Sequence, residues 1–147
     1  MIRLLLFLLV FVPLSMHSQG FINLSRKQVM RELEKQISKA DTIQIQLNES
    51  DSSIAYLVRD PKLQPGDFIY MFDDKNKCVS EIKISSCDSC HQKTLATILR
   101  NGKYDWQKLN DRTYVSSYSK RLMLEMPQAS PFTIVINRMK WNRRSYS

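Results

Sequence analysis

The apolar residues near the start of this chain recur every four positions. Val29, Leu33 and Ile37 would share one face of a helix, while charged residues of both signs fill the positions between them. This spacing predicts a helix over residues 26–38. Because its charges are of mixed sign, the apolar face is expected to pack on a core and not on a membrane surface.

The beginning of this helix has a signal of its own. Ser25 and Gln28 have the spacing of a capping box, in which each side chain bonds a backbone N–H of the other residue. Leu24 and Val29 are placed as the hydrophobic staple that accompanies such a cap. The helix is therefore expected to begin directly after Ser25.

Downstream of this helix, apolar and polar residues alternate with a period of two. This alternation is typical of strands that have one face on a core and one in water. Pro65-Gly66 marks a loop between such runs, because proline cannot continue a strand ladder. The pattern predicts four antiparallel strands, at residues 43–47, 54–58, 68–72 and 78–84.

A second helix and a second set of strands follow. Asp88 is placed as an N-cap, the residues Leu95, Ile98 and Leu99 form an apolar face, and Gly102 would end the helix. Three further strands are predicted at residues 114–118, 122–126 and 132–136. The order α-ββββ-α-βββ defines an α+β fold with antiparallel meanders and two packed helices. It fits two helix-plus-sheet repeats or one larger sheet with both helices on one face.

The first half is similar in shape to the small helix-plus-meander modules of exported bacterial envelope proteins. The residues that carry the resemblance are 24–29, LSRKQV, and 70–77, YMFDDKNK. They cover less than half of the chain without its leader. The resemblance implies a helix packed on an antiparallel meander.

Residues 1–20 have the composition of a secretory leader. Arg3 supplies the positive start, residues 4–14 are almost entirely apolar, and Ser18-Gln19-Gly20 fits a small-x-small cleavage site. The apolar run is shorter than the ~20 residues that a membrane span needs. We therefore expect an exported protein, periplasmic or secreted, with a single domain over residues 21–137.

The chain is basic, with a formal net charge of +8. Much of the excess lies in a predicted tail, residues 138–147, which also carries aromatic side chains. Its basic residues are Arg138, Lys140, Arg143 and Arg144. Such a segment can bind an acidic glycan or an anionic lipid surface, whereas nucleic acid is the least available polyanion outside the cell. A solvated tail without a ligand is the simpler interpretation.

Cys87, Cys90 and His91 have the spacing of the motif by which c-type cytochromes attach haem. The resemblance implies that both thiols bond the porphyrin and that His91 is the proximal iron ligand. Met126, followed by a proline, would then be the sixth ligand. Two features oppose haem: the segments after the motif alternate like strands, and the chain has only three glycines.

The same cysteines have two other interpretations. As structural fasteners, Cys87 and Cys90 would bridge across the turn, or Cys78 would pair with either of them and join the helix to the sheet. His91, one turn before Leu95, would then be a hydrogen-bonded histidine at the edge of the core. As a redox pair, Cys87 and Cys90 would exchange disulfides through a thiol with a lowered pKa at the start of a helix.

The sequence as a whole favours a non-catalytic binding or envelope-associated module with no metal or cofactor. We expect it to contact an unknown protein or envelope component through a face or edge of its sheet. A haem c electron-transfer protein and a thiol-disulfide oxidoreductase are the alternatives.

Overall fold

The computed structural model describes residues 20–40, 44–63, 65–117, 119–130 and 132–140. Several sequence predictions lie outside these described residues. They concern leader residues 1–19, Ile43, Tyr118, and the tail residues Arg143 and Arg144.

The described chain contains two helices and eight strands. The helices are α1 (Arg26–Ala40) and α2 (Asp88–Leu99). The strands are β1 (Ile45–Glu49), β2 (Ser53–Val58), β3 (Gly66–Phe72), β4 (Cys78–Ser85), β5 (Gln107–Asn110), β6 (Thr113–Val115), β7 (Leu122–Glu125) and β8 (Thr133–Arg138). The predicted α+β class is confirmed. The structure adds β5, whose four residues are all exposed and therefore show no alternation.

All eight strands belong to one antiparallel sheet with the order β1-β2-β3-β4-β8-β7-β6-β5. Each half of the chain is a helix followed by a four-stranded meander. The last strands of the two meanders, β4 and β8, pair at the centre of the sheet, where Ile82 lies opposite Val135. The chain therefore has two helix-plus-meander halves that share one continuous sheet.

Both helices cover the same face of this sheet. Tyr70, Glu81, Ile136 and Leu124 are successive cross-strand partners on β3, β4, β8 and β7, so their side chains share one face. Tyr70 belongs to the core cluster of α1, whereas Ile136 and Leu124 belong to the cluster of α2. The two cores thus lie side by side on one layer of strands.

The capping box at the start of α1 is confirmed. The backbone N–H of Ser25 donates to Gln28 Oε1 at 2.9 Å, and the N–H of Gln28 donates to Ser25 Oγ at 3.3 Å. Val29 and Leu33 are completely buried, as their spacing predicts. The helix continues to Ala40, two residues beyond its predicted end.

The predicted N-cap of α2 is wrong by one residue. Cys87 is the N-cap, with an extended backbone (φ −154°, ψ 162°), and its Sγ accepts the N–H of Cys90 at 3.1 Å. Asp88 is instead the first helical residue, where its negative charge suits the N-terminal end of the helix dipole. The proximity of the two cysteine sulfurs favours the sulfur of Cys87 over the carboxylate of Asp88 in the capping position.

Strand β4 directs its charged side chains toward the helices and its isoleucines away from them. Glu81 and Lys83 face the helices and are only 1% and 2% exposed, whereas Ile82 and Ile84 face the opposite side. An alternating strand normally directs its isoleucines toward the covered face. The centre of the sheet therefore has a buried charge pair on the helix side and apolar side chains on the other side.

Candidate functional site

The face of the sheet opposite the helices, which we call the open face, carries apolar side chains on several adjacent strands. Ala55, Ile69, Ile82 and Val135 are successive cross-strand neighbours and form a row across four adjacent strands, β2, β3, β4 and β8. Further apolar side chains flank this row on both sides. They are Leu57 and Ile84 on one side and Met71 and Met123 on the other.

No helix or strand among the described residues packs on the open face. Ile84 is 37% exposed, and the side chains of the central row are partly exposed although they lie in the middle of an eight-stranded sheet. With a strand spacing of about 4.8 Å, four strands make the row about 15 Å wide. The largest exposed apolar patch of a soluble protein is often an interaction site.

Charged groups of the open face lie directly beside the apolar row, and Asp67 is the cross-strand partner of both Leu57 and Ile84. Asp67 of β3 is next to Arg59, and these two side chains form an ion pair beyond the end of β2. Glu125 of β7 lies opposite Val135, on the side of β5 and β6. An apolar centre with polar surroundings is the arrangement found at the core and rim of protein interfaces.

The structure places the sulfurs of Cys87 and Cys90 at disulfide distance, with their Cα atoms 5.1 Å apart. Both residues are partly exposed at the start of α2. Cys78 lies at the opposite end of β4 and is completely buried in the core of α1. Because β4 is extended, about 23 Å separates its two ends. Cys78 is therefore much farther from either partner than the ~7 Å that a disulfide allows.

We expect the Cys78 thiol to be unreactive in the folded protein. Burial raises its pKa to about 12, well above its ordinary value of 9.0. Because the folded pKa is the higher one, this group contributes its full stability below pH 9 and loses it as the pH rises toward 12. Alkylation by iodoacetamide at pH 8, followed by mass spectrometry, should modify Cys78 only after unfolding in urea. In a Cys87→Ser control the partly exposed Cys90 should react without urea; equal rates for Cys78 and Cys90 would contradict the assignment.

His91 lies on the first turn of α2 and lines a cleft of about 450 Å³ between this helix and the strands of the second half. Met126 and Tyr114 line the same cleft, and the His91 ring is 6.2 Å from the ring of Phe132. The side chain of His91 is 7% exposed, and its Nδ1 is buried and bonds no described residue.

The structure thus brings together two of the four residues of the haem interpretation. His91 and Met126 line one cleft, which has the volume of a small-molecule site. Cys87 and Cys90 lie at the N-terminus of α2, the helix that carries His91, with their sulfurs at disulfide distance. Thioether attachment needs two free thiols, so haem would require this pair to be reduced.

The described part of the basic tail is divided between two environments. Arg138 is the last residue of β8, and its guanidinium donates to Asp73 Oδ2 at 3.0 Å and to Asn23 Oδ1 at 3.2 Å. The hydrogen bond from the backbone N–H of Lys77 lowers the pKa of Asp73, and the weaker effect of the Arg138 side chain lowers it further. Lys140 is exposed. Arg138 is therefore engaged in a structural ion pair, and of the described tail residues Lys140 is the one that presents an exposed charge.

The buried pair Glu81 and Lys83 is a site that sequence reasoning missed. Burial raises the pKa of Glu81, while Lys83 opposes that shift, and burial lowers the pKa of Lys83. The two residues are i, i+2 on β4, so they lie side by side between the two cores. The sequence carries one sign of this pair, because Glu81 and Lys83 are two positions apart in an alternating strand and so share a face. The same spacing is equally typical of a face exposed to water.

Within the described residues, no cluster of three or more His, Cys, Asp or Glu side chains could hold a metal ion. The same residues contain no helix that is long and apolar enough to span a membrane. Comparison with known protein families, with curated proteins and with solved structures finds no match to this chain. Its class is therefore defined by its own architecture: an α+β protein with an eight-stranded antiparallel sheet, two helices on one face and an open opposite face.

Proposed function

We propose that this protein is an exported, non-catalytic binding module that holds a protein partner against its open face. The observation that carries the proposal is the uncharged row of Ala55, Ile69, Ile82 and Val135 across the middle of the sheet. A partner with an apolar, weakly charged surface would complement this row, because burial of apolar area drives most protein association.

Two further features support the open face as the binding surface. Each of the four strands that carry the row is hydrogen-bonded to a neighbouring strand on both sides, so the backbone of the row is rigid and pre-organised for binding. Met71 and Met123 lie on either side of Ser80 and Asn137, and methionine side chains adapt readily to a partner's shape. The helix-covered face offers no comparable surface, because its apolar side chains are already packed beneath α1 and α2.

Ile82→Glu is expected to weaken partner binding at least tenfold, because it places a charge at the centre of the apolar row. A photo-crosslinking residue introduced at Ile82 should give a discrete adduct with one protein of the cell envelope. Ile82→Glu should prevent purified protein from competing for that adduct. The fold should persist, since the substituted side chain points away from both cores.

Ser38→Glu is the matched control, because it adds the same charge to an exposed position of α1. It should compete as well as the unmodified protein. If a crosslinker at Ser38 gives the same adduct and Ile82→Glu competes normally, the open face is not the binding surface. An adduct of twice the mass of the chain would identify a second copy as the occupant and would contradict an external partner.

Covalent haem is a second candidate function, favoured by the shared cleft of His91 and Met126. His91 through a ring nitrogen and Met126 through its sulfur would hold the iron, and the group would supply electron transfer. Protein purified after export with a cytochrome maturation system should then show a Soret band and retain haem after denaturation. A colourless protein whose mass corresponds to one disulfide would exclude this candidate.

The Cys87–Cys90 pair is expected to act as a fastener with a modest contribution to stability. The two cysteines are only three residues apart in the sequence, so their disulfide closes a very short loop. We therefore expect Cys87→Ser/Cys90→Ser to lower the free energy of unfolding by about 2 kcal/mol. Urea unfolding of both proteins measures this difference. Insulin reduction by the two proteins should be equally slow; faster turnover by the unmodified protein would instead support the thiol-disulfide oxidoreductase.

A further inference from the structure

The segment that follows the predicted leader lies between the two cores. The ring of Phe21 is buried in the cluster of α1, and Ile22 packs against the cluster of α2. The N–H of Asn23 donates to the carbonyl of Cys78 at 2.8 Å, and the N–H of Cys78 donates to the carbonyl of Leu24 at 2.9 Å. The first residues of the domain are therefore fixed beside the start of β4.

The carboxylate of Glu81 faces the backbone nitrogens of this segment. The N–H of Phe21 donates to Glu81 Oε1 at 2.9 Å in a buried hydrogen bond. Burial raises the pKa of Glu81, and Lys83 followed by the backbone N–H groups of Phe21, Gly20 and Ile22 opposes that shift. Glu81 Oε2 is buried and has no hydrogen-bond partner among the described residues. A buried carboxylate oxygen without a donor is costly, so this atom requires one.

Four other titratable groups interact with Glu81 from the surrounding elements. They are Lys83 on β4, Tyr70 on β3, Cys78 at the start of β4, and Tyr104 in the turn before β5. The two phenols and the thiol are uncharged near neutral pH. Lys83 is therefore the cation that opposes Glu81 among these groups, and it acts from within the same strand.

We propose that Glu81 is the binding site for the amino group that removal of the leader creates at Phe21. This inference rests on the export that we propose above. Hydrolysis of the Gly20–Phe21 peptide bond by a leader peptidase consumes one water: the carbonyl carbon of Gly20 gains the oxygen as a carboxylate, and the nitrogen of Phe21 becomes an ammonium. The new ammonium has three N–H donors at the place where the peptide had one, enough to reach both Oε1 and Oε2 of Glu81.

The backbone at Gly20 independently requires glycine. Its φ of 130° is a conformation that residues with a Cβ rarely adopt. The leader peptidase separately requires a small residue at this position. A glycine meets both requirements.

Leader removal would therefore stabilise the folded chain. It replaces a neutral N–H donor by a charged one, and a buried charge-assisted hydrogen bond is stronger than a neutral one. The precursor, which lacks this ion pair, would be the less stable form while it awaits export. Through Glu81, removal of the leader would thus increase the stability of the region between the two cores.

The first test locates the mature N-terminus. The full chain is expressed in an export-competent bacterial host and recovered from outside the cytoplasm, and mass spectrometry should show that it begins at Phe21. A chain that starts elsewhere between Ser15 and Gly20, or after Phe21, would overturn the amino-group site while leaving export intact. A chain that stays in the cytoplasm with Met1 would overturn export as well.

The second test measures the charge interaction itself. With ¹⁵N-phenylalanine in the mature protein, the amine signal of Phe21 should titrate well above the ordinary α-amino pKa of about 7.7–8.0. In Glu81→Gln the same burial without the carboxylate should move this pKa below the ordinary range. Glu34→Gln, which removes an exposed carboxylate of α1, should leave the titration unchanged. An ordinary pKa in the unmodified protein would overturn the proposal.

A third measurement does not depend on the folding of Glu81→Gln. Acetylation of the mature amine keeps one N–H but removes the positive charge. It should lower the folding equilibrium constant at least tenfold in urea unfolding at pH 7. Equal stability of the acetylated and free chains would show that Glu81 does not bind the ammonium.

Discussion

Lys83→Met is expected to lower the free energy of unfolding by about 3–5 kcal/mol at pH 7, although methionine fills nearly the same space. Lys83 and Glu81 are 2% and 1% exposed and lie between the two cores. Removing the lysine charge leaves the Glu81 carboxylate with less compensation in a water-poor environment. Urea unfolding followed by circular dichroism measures the loss.

Two comparisons separate the charge effect from packing. In the chain that keeps the Gly20–Phe21 peptide bond, Lys83→Met/Glu81→Gln removes both charges but keeps an amide oxygen for the N–H of Phe21, so it should recover most of the lost stability. If the double variant is as unstable as Lys83→Met, the lysine contributes through its aliphatic stem and not through its charge.

The loss in Lys83→Met should also depend on pH. Burial raises the pKa of Glu81, so its folded pKa lies above its unfolded pKa. The contribution of such an acid is fully present below the unfolded pKa and is lost as the pH rises through the folded pKa. We therefore expect the difference between Lys83→Met and the unmodified protein to shrink between pH 7 and pH 4.5. A difference that is constant over this range would contradict an uncompensated carboxylate.

The parts of the fold that local signals determine could be predicted from the sequence. The helix α1 has an apolar residue every four positions and a complete capping box, so its start at Arg26 and its buried residues Val29 and Leu33 follow from short-range rules. The alternation of polar and apolar residues identified the strands in the same way, and with them the α+β class.

The parts that depend on tertiary context could not be predicted. In β4, alternation alone does not say which side faces the helices, and Glu81 and Lys83 are buried because the N-terminal segment and the second core enclose them. The exposed strand β5 carries no periodic signal. The open face combines residues from β2, β3, β4, β7 and β8, so it exists only once the central β4–β8 pairing is known.

The N-cap of α2 shows the same limit at a single position. Asp88 and Cys87 both have side chains that can cap a helix, and residue preferences favour the aspartate. The position of Cys90, three residues later, instead brings the Cys87 sulfur to the helix start. A local preference of about 1 kcal/mol is easily overridden by such a contact.

Leu33→Ala in α1 is expected to destabilise the second half of the chain as much as the first. Leu33 is completely buried in the core of α1, and its truncation should lower the free energy of unfolding by about 2–5 kcal/mol. Because β4 and β8 pair over five residue pairs, the two meanders form one sheet and should unfold in a single transition. The loss of stability caused in the core of α1 should then be detected by a spectroscopic probe in the core of α2.

Trp106 provides that probe, because it packs against the core of α2 and lies 5.8 Å from Tyr104 between ring centroids. In a Trp141→Phe background its fluorescence reports the second half alone. Leu33→Ala should shift the Trp106 urea midpoint as far as the circular dichroism midpoint, whereas Leu109→Ala, at a side chain that is 63% exposed, should shift neither. If the Trp106 midpoint stays unchanged while circular dichroism shows an earlier transition, the halves unfold separately and the β4–β8 pairing does not couple them.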